Sequence, residues 1–496
     1  ELINRVSTFG RVTGFEDLPA PRPLEVTPYV TGRAEERNNT GYYGLEPSDG
    51  WELEPRYGLD LEYRAGAAAT VLATVLPDYA YIEADPAQIS LEPTEIWLAE
   101  KRPFFTEGYE LFDTDSEMLY TRRLSEIAGG VKVTGRQGPI RYGVLDTALR
   151  DDDPLYPEDN FAVARAVYDT FGGSSFGVMG VGRQELGGEV PLDTGTAEDR
   201  ARYNNVAFVD GRFVLPARLS MSFEGAKSET AGAGGDGYEY NVGLGRIGVT
   251  DMMFAWFAET GEEFRADMSF IQPEDLGVRE AGMFGQREFQ VNRAGVRSLS
   301  LHGNYDHKWN LAAETTNNFT SLVAKVTSER DYFVTLNYRG GRDLRYAPMG
   351  YPVYDNDVFD VAVGHTPASW GNYRLGYWRG MWYGDFYHYY TFEFGAIPTP
   401  VLVFDGNAEV GNRRPGTRFV VANLKVTHNV TDELFWRLIL LGNSDERTSE
   451  ASILWGWDFR TDSTAYLAYE QRRDSTGHFA LAEQLAFVKV SYAIPF

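Results

Sequence analysis

The chain has 496 residues, a formal net charge of −26, 43% hydrophobic content and no cysteine. Without thiols there can be no disulfide, thiolate metal ligand or cysteine nucleophile, and the acidic balance opposes nucleic-acid binding, which depends on neutralising phosphates. The 30 Tyr, 30 Phe, 10 Trp and 52 Gly suit a curved sheet with tight turns whose aromatic residues reach a membrane interface.

Glu1 opens the chain with neither Met nor a leader, as expected of a processed product. Leu24, Val26, Pro28 and Val30 then alternate with Glu25, Thr27, Tyr29 and Thr31, and Leu59, Leu61 and Tyr63 alternate with Asp60, Glu62 and Arg64. Period-two alternation marks strands with one apolar face.

From about Leu76 to Leu124 the rhythm stops. About fifty residues, rich in carboxylates and prolines, are too many for a plain loop, and inside a wide barrel they are expected to fold inward as a plug or constriction over 77–125. The part from Glu92 to Glu100 is a short helix candidate. Opposite charges surround Pro103 in Glu100-Lys101-Arg102-Pro103-Phe104-Phe105. They point to a plug-to-wall latch in which Lys101, Arg102, Arg122 and Arg123 meet Glu83, Asp85, Glu95 and Glu107; with Glu100, these luminal and plug charges are read first as architecture and second as a selectivity ring.

Pro77-Asp78, the EADP run Glu83–Pro86, Glu100–Gly108 (EKRPFFTEG), the arginine pair Arg122-Arg123 and the later Asn160–Asp169 resemble a family of bacterial outer-membrane proteins with an uncharacterised C-terminal barrel-like domain. In that family a family-nine carbohydrate-binding-like domain commonly precedes the barrel, and no counterpart of it lies in this chain. The resemblance covers most of the chain and is sharpest between residues 57 and 185. It departs at Tyr79-Ala80, where the family favours Phe-Gly, and it implies an envelope barrel without implying an activity.

Further along, Tyr332, Val334, Leu336 and Tyr338 alternate with Phe333, Thr335, Asn337 and Arg339. Asp355, Asp357 and Asp360 offer oxygen ligands to Ca²⁺ but lack the full loop pattern of a calcium motif, as do Asp151, Asp152 and Asp153. The aromatic run that follows reads as an interfacial girdle of Trp370, Tyr377, Trp378, Trp382, Tyr387 and Tyr389. The competing reading, a sugar-stacking surface, requires those rings to face the lumen. His302 and His307, five apart, fall on opposite strand faces and share no metal.

Ile453, Trp455, Trp457 and Phe459 continue the alternation, and the last segment places Ala486, Val488, Val490, Tyr492, Ile494 and Phe496 on one face. A terminal strand ending in Phe496, with Tyr492 upstream, resembles the signal read by the bacterial barrel-assembly machinery.

No apolar run approaches the ~18 residues that a spanning helix needs, so only a closed barrel would cross a bilayer. The expectation is one all-β domain over 1–496: a large antiparallel transmembrane barrel of about 24 strands, within about 22 to 26, in a Gram-negative outer membrane. Its partners would be outer-membrane lipid, the assembly machinery and a periplasmic or extracellular protein, with no nucleic acid and no cofactor beyond the Ca²⁺ candidates. Its function would be a channel or conduit that selects by pore width and luminal charge. A barrel-borne hydrolase and a structural anchor barrel are the alternatives. No convincing Ser/His/Asp order stands out, and there is neither a Walker loop nor a dinucleotide fingerprint in the strand-to-helix setting it requires.

Overall fold

The computed structural model describes residues 23–38, 47–66, 68–77, 97–124, 127–150, 159–185, 203–231, 236–271, 275–343, 353–367, 370–413, 417–445, 447–474 and 480–496. The strands in chain order are β1 (Leu24–Arg37), β2 (Glu52–Ala65), β3 (Ala69–Val75), β4 (Ile127–Gln137), β5 (Ile140–Leu149), β6 (Asp159–Asp169), β7 (Ser175–Glu185) and β8 (Tyr203–Leu215). Next come β9 (Leu219–Ala231), β10 (Tyr238–Ile247), β11 (Asp251–Thr260), β12 (Val278–Arg293), β13 (Val296–Asn310), β14 (Thr315–Ser328), β15 (Tyr332–Asp343) and β16 (Tyr354–His365). The remainder are β17 (Gly371–Trp382), β18 (Asp385–Thr399), β19 (Leu402–Arg413), β20 (Arg418–Asn429), β21 (Leu434–Asn443), β22 (Thr448–Arg460), β23 (Ser463–Asp474), β24 (Ala480–Ser491) and the two-residue β25 (Ile494–Pro495).

Each strand from β1 to β24 pairs antiparallel with its sequence neighbour, and β1 pairs with β2 on one side and with β24 and β25 on the other. The ring is closed: a 24-strand antiparallel barrel whose sheet has no edge. Closure satisfies every strand's hydrogen-bonding groups within the sheet.

The two faces differ as the alternation predicted. Along β16, Tyr354, Asn356, Val358, Asp360 and Ala362 are buried while Phe359, Val361 and Val363 are exposed. Residues paired across a ladder share a face, so the register carries this assignment around the ring. Val30 lies opposite Tyr57 and Val490, and Leu336 opposite Ala324 and Val361, all on the exposed apolar exterior. Thr31 lies opposite Arg56 and Lys489, and Asn337 opposite Val323 and Asp360, on the polar interior.

The connections sort by end. At the end that holds the first residue of β1, they span 66–68, 138–139, 170–174, 216–218, 248–250, 294–295 and similar short turns. Ala294 and Gly295 both have positive φ (55° and 79°), the geometry that matches a two-residue hairpin to strand twist. At the opposite end lie the long connections 38–51, 76–126, 186–202, 261–277 and 344–353, beside short ones such as 311–314 and 383–384. The described parts of two of the long ones, 97–124 and 261–271, lie inside the ring.

Candidate functional site

The inner face of β5–β8 is unlike the rest of the lumen. Leu145, Leu149, Phe161, Val163, Val167, Met179, Val181, Val206 and Phe208 are buried there, while Val144, Tyr168, Val178 and Val209 on the same strands are exposed outside. A wall apolar on both sides needs cover within, because water-filled space would leave the inner side chains wet.

Residues 97–124 supply that cover. A single helical turn α1 (Pro103–Thr106) and two 3₁₀ turns place Phe104, Phe105, Leu111, Phe112, Met118, Leu119 and Leu124 in one buried cluster with the wall residues. The approach is close at Gly143, where an added Cβ would lie 2.6 Å from Leu111 Cδ2 and 2.7 Å from Phe112 Cζ. At ~2 kcal/mol per fully buried Leu, Met or Phe side chain, these contacts hold the segment with on the order of 10 kcal/mol, as an upper bound.

Polar groups of the wall grip the segment's backbone. The Lys132 ammonium of β4 donates to the carbonyls of Phe104, Phe105 and Glu107. The Glu224 carboxylate of β9 accepts the N–H groups of Asp115 (2.7 Å) and Ser116 (2.9 Å) as well as the Ser116 hydroxyl. Asn241 of β10 donates to the Ser116 hydroxyl and to Glu224, both at 3.0 Å.

Inside the segment, Glu100 pairs with Arg102 (2.7 Å) and accepts the Thr121 hydroxyl (2.6 Å), while Arg102 also donates to the carbonyls of Thr121 and Leu124. Burial alone would push the Glu100 carboxyl up. The Arg102 guanidinium and backbone N–H and the Thr121 hydroxyl outweigh it and hold the group at about 2.

The second inward connection, 261–271, packs against the first. Tyr120 donates its backbone N–H to Met268, Phe270 donates to Glu117, and the Tyr120 and Phe270 rings meet edge to face at 4.8 Å. Its own anchor is a buried ion triad. Arg183 of β7 bonds Asp159 of β6 (2.7 Å) and Asp267 (2.7 Å), with side-chain exposures of 1%, 0% and 5%. Asn204 of β8 donates to the Arg265 carbonyl and accepts the Asp267 N–H. The two connections therefore form one inner body.

The face that this body turns away from the wall is acidic. Glu107, Glu110, Asp113 and Asp115 are exposed and Glu117 is half-buried, and between Thr106 and Glu117 no cationic residue occurs. Burial, with Asp115 nearby, pushes Asp113 up, and burial, with Asp113 nearby, pushes Glu117 up. A cavity of about 650 Å³ lies between Asp113–Asp115 and the inner face of β8–β12, where Asp210, Arg212, Asn241, Trp256 and Glu280 line it.

Several sequence expectations change. Glu83, Asp85, Glu95, Asp151–Asp153 and His478 lie outside the described residues, and Trp97–Glu100, the described end of the helix candidate, is not helical. Arg102 braces its own segment, with Glu100, Thr121 and Leu124 around the guanidinium. Glu107 meets the wall through its carbonyl, which Lys132 holds. Lys101, Arg122 and Arg123 lie on the same segment, half-buried.

The girdle is corrected as well. Trp378, Trp382, Tyr387 and Tyr389 are buried in a luminal cluster with Val358 and Phe419, since strand alternation sends them to the side of Asp360 and Gly380. They pack mainly on one another, as Trp378 does on Tyr387 (5.7 Å) and Tyr389 (5.0 Å). Tyr377 lies opposite Val361 and Tyr390 on the exterior, and Trp370 is exposed. Exterior aromatic residues gather instead near the two ends: Tyr238, Tyr240, Phe257 and Trp309 at the long-loop end, and Tyr332, His365, Trp455, Trp457 and Tyr492 at the other.

The calcium trio does not converge. Asp355 and Asp357 point outward and Asp360 inward, where it meets Arg374 at 3.4 Å. His302 and His307 do fall on opposite faces. At the seam, Tyr492 donates its N–H to Pro28 and Phe496 to Leu24, so the terminal strand continues past a break to close on β1.

Residues 20–135 match the model of a family described as Domain of unknown function (DUF5916), a range that contains Pro77-Asp78 through Arg122-Arg123. No curated protein matches the chain. Among solved structures, the siderophore receptor PirA from Acinetobacter baumannii is 8% identical over 95% of this chain and 80% of its own, with a TM-score of 0.48. The ferric-catecholate import receptor Fiu from E. coli K12 is 7% identical over 96% and 82%, with a TM-score of 0.40. OpdQ of Pseudomonas aeruginosa is 9% identical over 96% and 98%, with a TM-score of 0.28. These likenesses concern the course of the chain and carry nothing about its cargo.

Proposed function

We propose that the protein is an outer-membrane conduit whose passage runs beside the inner body and favours cationic solutes. The observation that carries this reading is the pairing of an apolar, exposed exterior around a closed sheet with an inner body whose stretch from Thr106 to Glu117 holds Glu107, Glu110, Asp113, Asp115 and Glu117 without a cationic residue. An exterior of that kind suits hydrocarbon, and the short-turn and long-loop ends suit periplasmic and extracellular sides respectively. A ring of like charge in a passage raises the local concentration of counter-ions and repels co-ions. The open cavity beside Asp113 and Asp115 favours a conduit over a purely structural anchor, whose lumen would be filled.

The test is a planar-bilayer measurement on the full chain in a KCl gradient. The reversal potential is expected to have the sign of K⁺ preference, and the triple variant Asp113→Asn/Asp115→Asn/Glu117→Gln is expected to move it toward zero with conductance retained. An anion-selective native channel, or a triple variant with unaltered selectivity, would refute the charge assignment. Absence of conductance would refute the conduit.

A further inference from the structure

We infer that the inner body is a fixed constriction and not a gate, with the connection 261–271 acting as its keystone and Lys132, Arg183 and Glu224 as the wall residues that position it. The inference rests on the conduit reading in calling the body a constriction, but its immobility stands on packing alone.

Three observations converge on it. First, the wall under the segment is apolar along β5–β8 and is covered completely: Phe161 and Val163 are each 1% exposed and Phe112 on the segment is 1% exposed. An element that moved aside would wet both surfaces at once, and gating surfaces are drawn from weakly packed regions, which this is not. Second, the wall holds the segment by its backbone. Glu224 is a buried carboxylate whose recorded partners include two segment N–H groups, the Ser116 hydroxyl and Asn241. Withdrawal would leave a buried carboxylate short of partners and free N–H groups on the segment together. Third, the segment cannot leave alone, because Tyr120 and Glu117 are bonded to Met268 and Phe270, and Asp267 beside them is tied to Arg183 in the wall. Two connections from different parts of the barrel would have to move together, against the ion pairs of Arg183 with Asp159 and Asp267, whose side chains are at most 5% exposed.

Solute therefore passes between the acidic face and the opposite wall with the body in place. This makes Lys132, Arg183 and Glu224 positioning residues that fix where Asp113 and Asp115 stand, Glu224 also lining the cavity beside them.

The absence of native cysteine allows a direct test. A Cβ built at Gly108 would lie 3.6 Å from the Thr134 Cβ on β4, a separation that a disulfide spans. Gly108→Cys/Thr134→Cys is to be assayed oxidised and reduced in planar bilayers, with bridge formation confirmed by mobility shift. Equal conductance and equal reversal potential in the two states are expected. A several-fold loss of conductance on oxidation, restored by reductant, would overturn the inference. Gly108 has a left-handed backbone (φ 66°), so amide hydrogen exchange on the native chain guards against a variant that fails to fold and needs no conductance. Amides from Phe105 to Leu124 are expected to exchange as slowly as those of β5–β8, and fast exchange through the segment would show it to be mobile. A barrel that conducts nothing yet protects these amides would sink the conduit while leaving the fixed body standing.

Discussion

Glu100, Asp113 and Glu117 lie on one segment and answer acid differently, because their surroundings differ. Glu100 is held near 2 by Arg102 and Thr121 despite its burial, whereas burial and neighbouring carboxylates raise Asp113 and Glu117. A depressed carboxyl contributes stability that is full above its unfolded value and is lost progressively as pH falls from there to its folded value, so in the docked segment Glu100 stays ionised, and paired with Arg102, down to about 2. The raised groups take up protons earlier on the way down. Cation preference is thus expected to fall during mild acidification while the segment stays docked. Reversal potentials measured from pH 7 downward, beside tryptophan fluorescence from Trp97, check this order. Loss of docking before loss of selectivity would contradict it. The sequence already showed Glu100 and Arg102 flanking a proline, but the partner of Arg102 was hidden. A guanidinium that bonds two carbonyls leaves no signature in residue type, and those bonds depend on how 121–124 folds back.

At the scale of elements, the interrupted alternation between β3 and β4 announced a segment with its own role, and its phenylalanines announced apolar anchorage. What covered them was harder to read. In β6, Phe161, Val163 and Val167 face inward opposite Ala162, Ala164 and Tyr168 outside, so the strand reads as an apolar run whose two faces cannot be ranked by hydrophobicity. The same ambiguity misplaced the aromatic girdle: Trp378 and Tyr377 are adjacent, and only register decides which of them meets lipid. The connection 261–271 gave still less warning, since Arg183 and Asp267 are far apart in the chain. Their triad yields a sharp prediction. Arg183→Met takes a buried cation from Asp159 and leaves Asp267 with Arg265, and is expected to destabilise the barrel by about 3 kcal/mol, read from the urea midpoint. Adding Asp159→Asn removes the stranded charge and is expected to recover much of the loss. No recovery would mean that Arg183 matters for its shape and not for its charge.

For the whole molecule the decisive feature is that one closed sheet carries an apolar, exposed exterior and a polar interior. Closure through β1 and β24 was foreseeable from alternation sustained over most of the chain, because an open sheet of that size would leave two unpaired edges. Which face looks outward follows from the same pattern, and adjacent residues at mid-strand test it. Leu336 lies on the exterior of β15 and Asn337 on its interior, one residue apart at nearly the same height. Leu336→Arg places a guanidinium where the apolar band is exposed and is expected to cost about 2–4 kcal/mol of folding free energy in a bilayer. Asn337→Arg puts the same group among Asp360 and its polar neighbours, and should cost far less. Folding titrations of both variants into phospholipid vesicles make the comparison, with unfolding in detergent as a control for strand propensity. Equal costs would mean that the two faces meet similar surroundings, and the bilayer assignment would then fail together with the passage it implies. A large cost at Leu336 alone would establish that the exterior is solvated by hydrocarbon, leaving the acidic inner body as the part of the molecule that meets the solute.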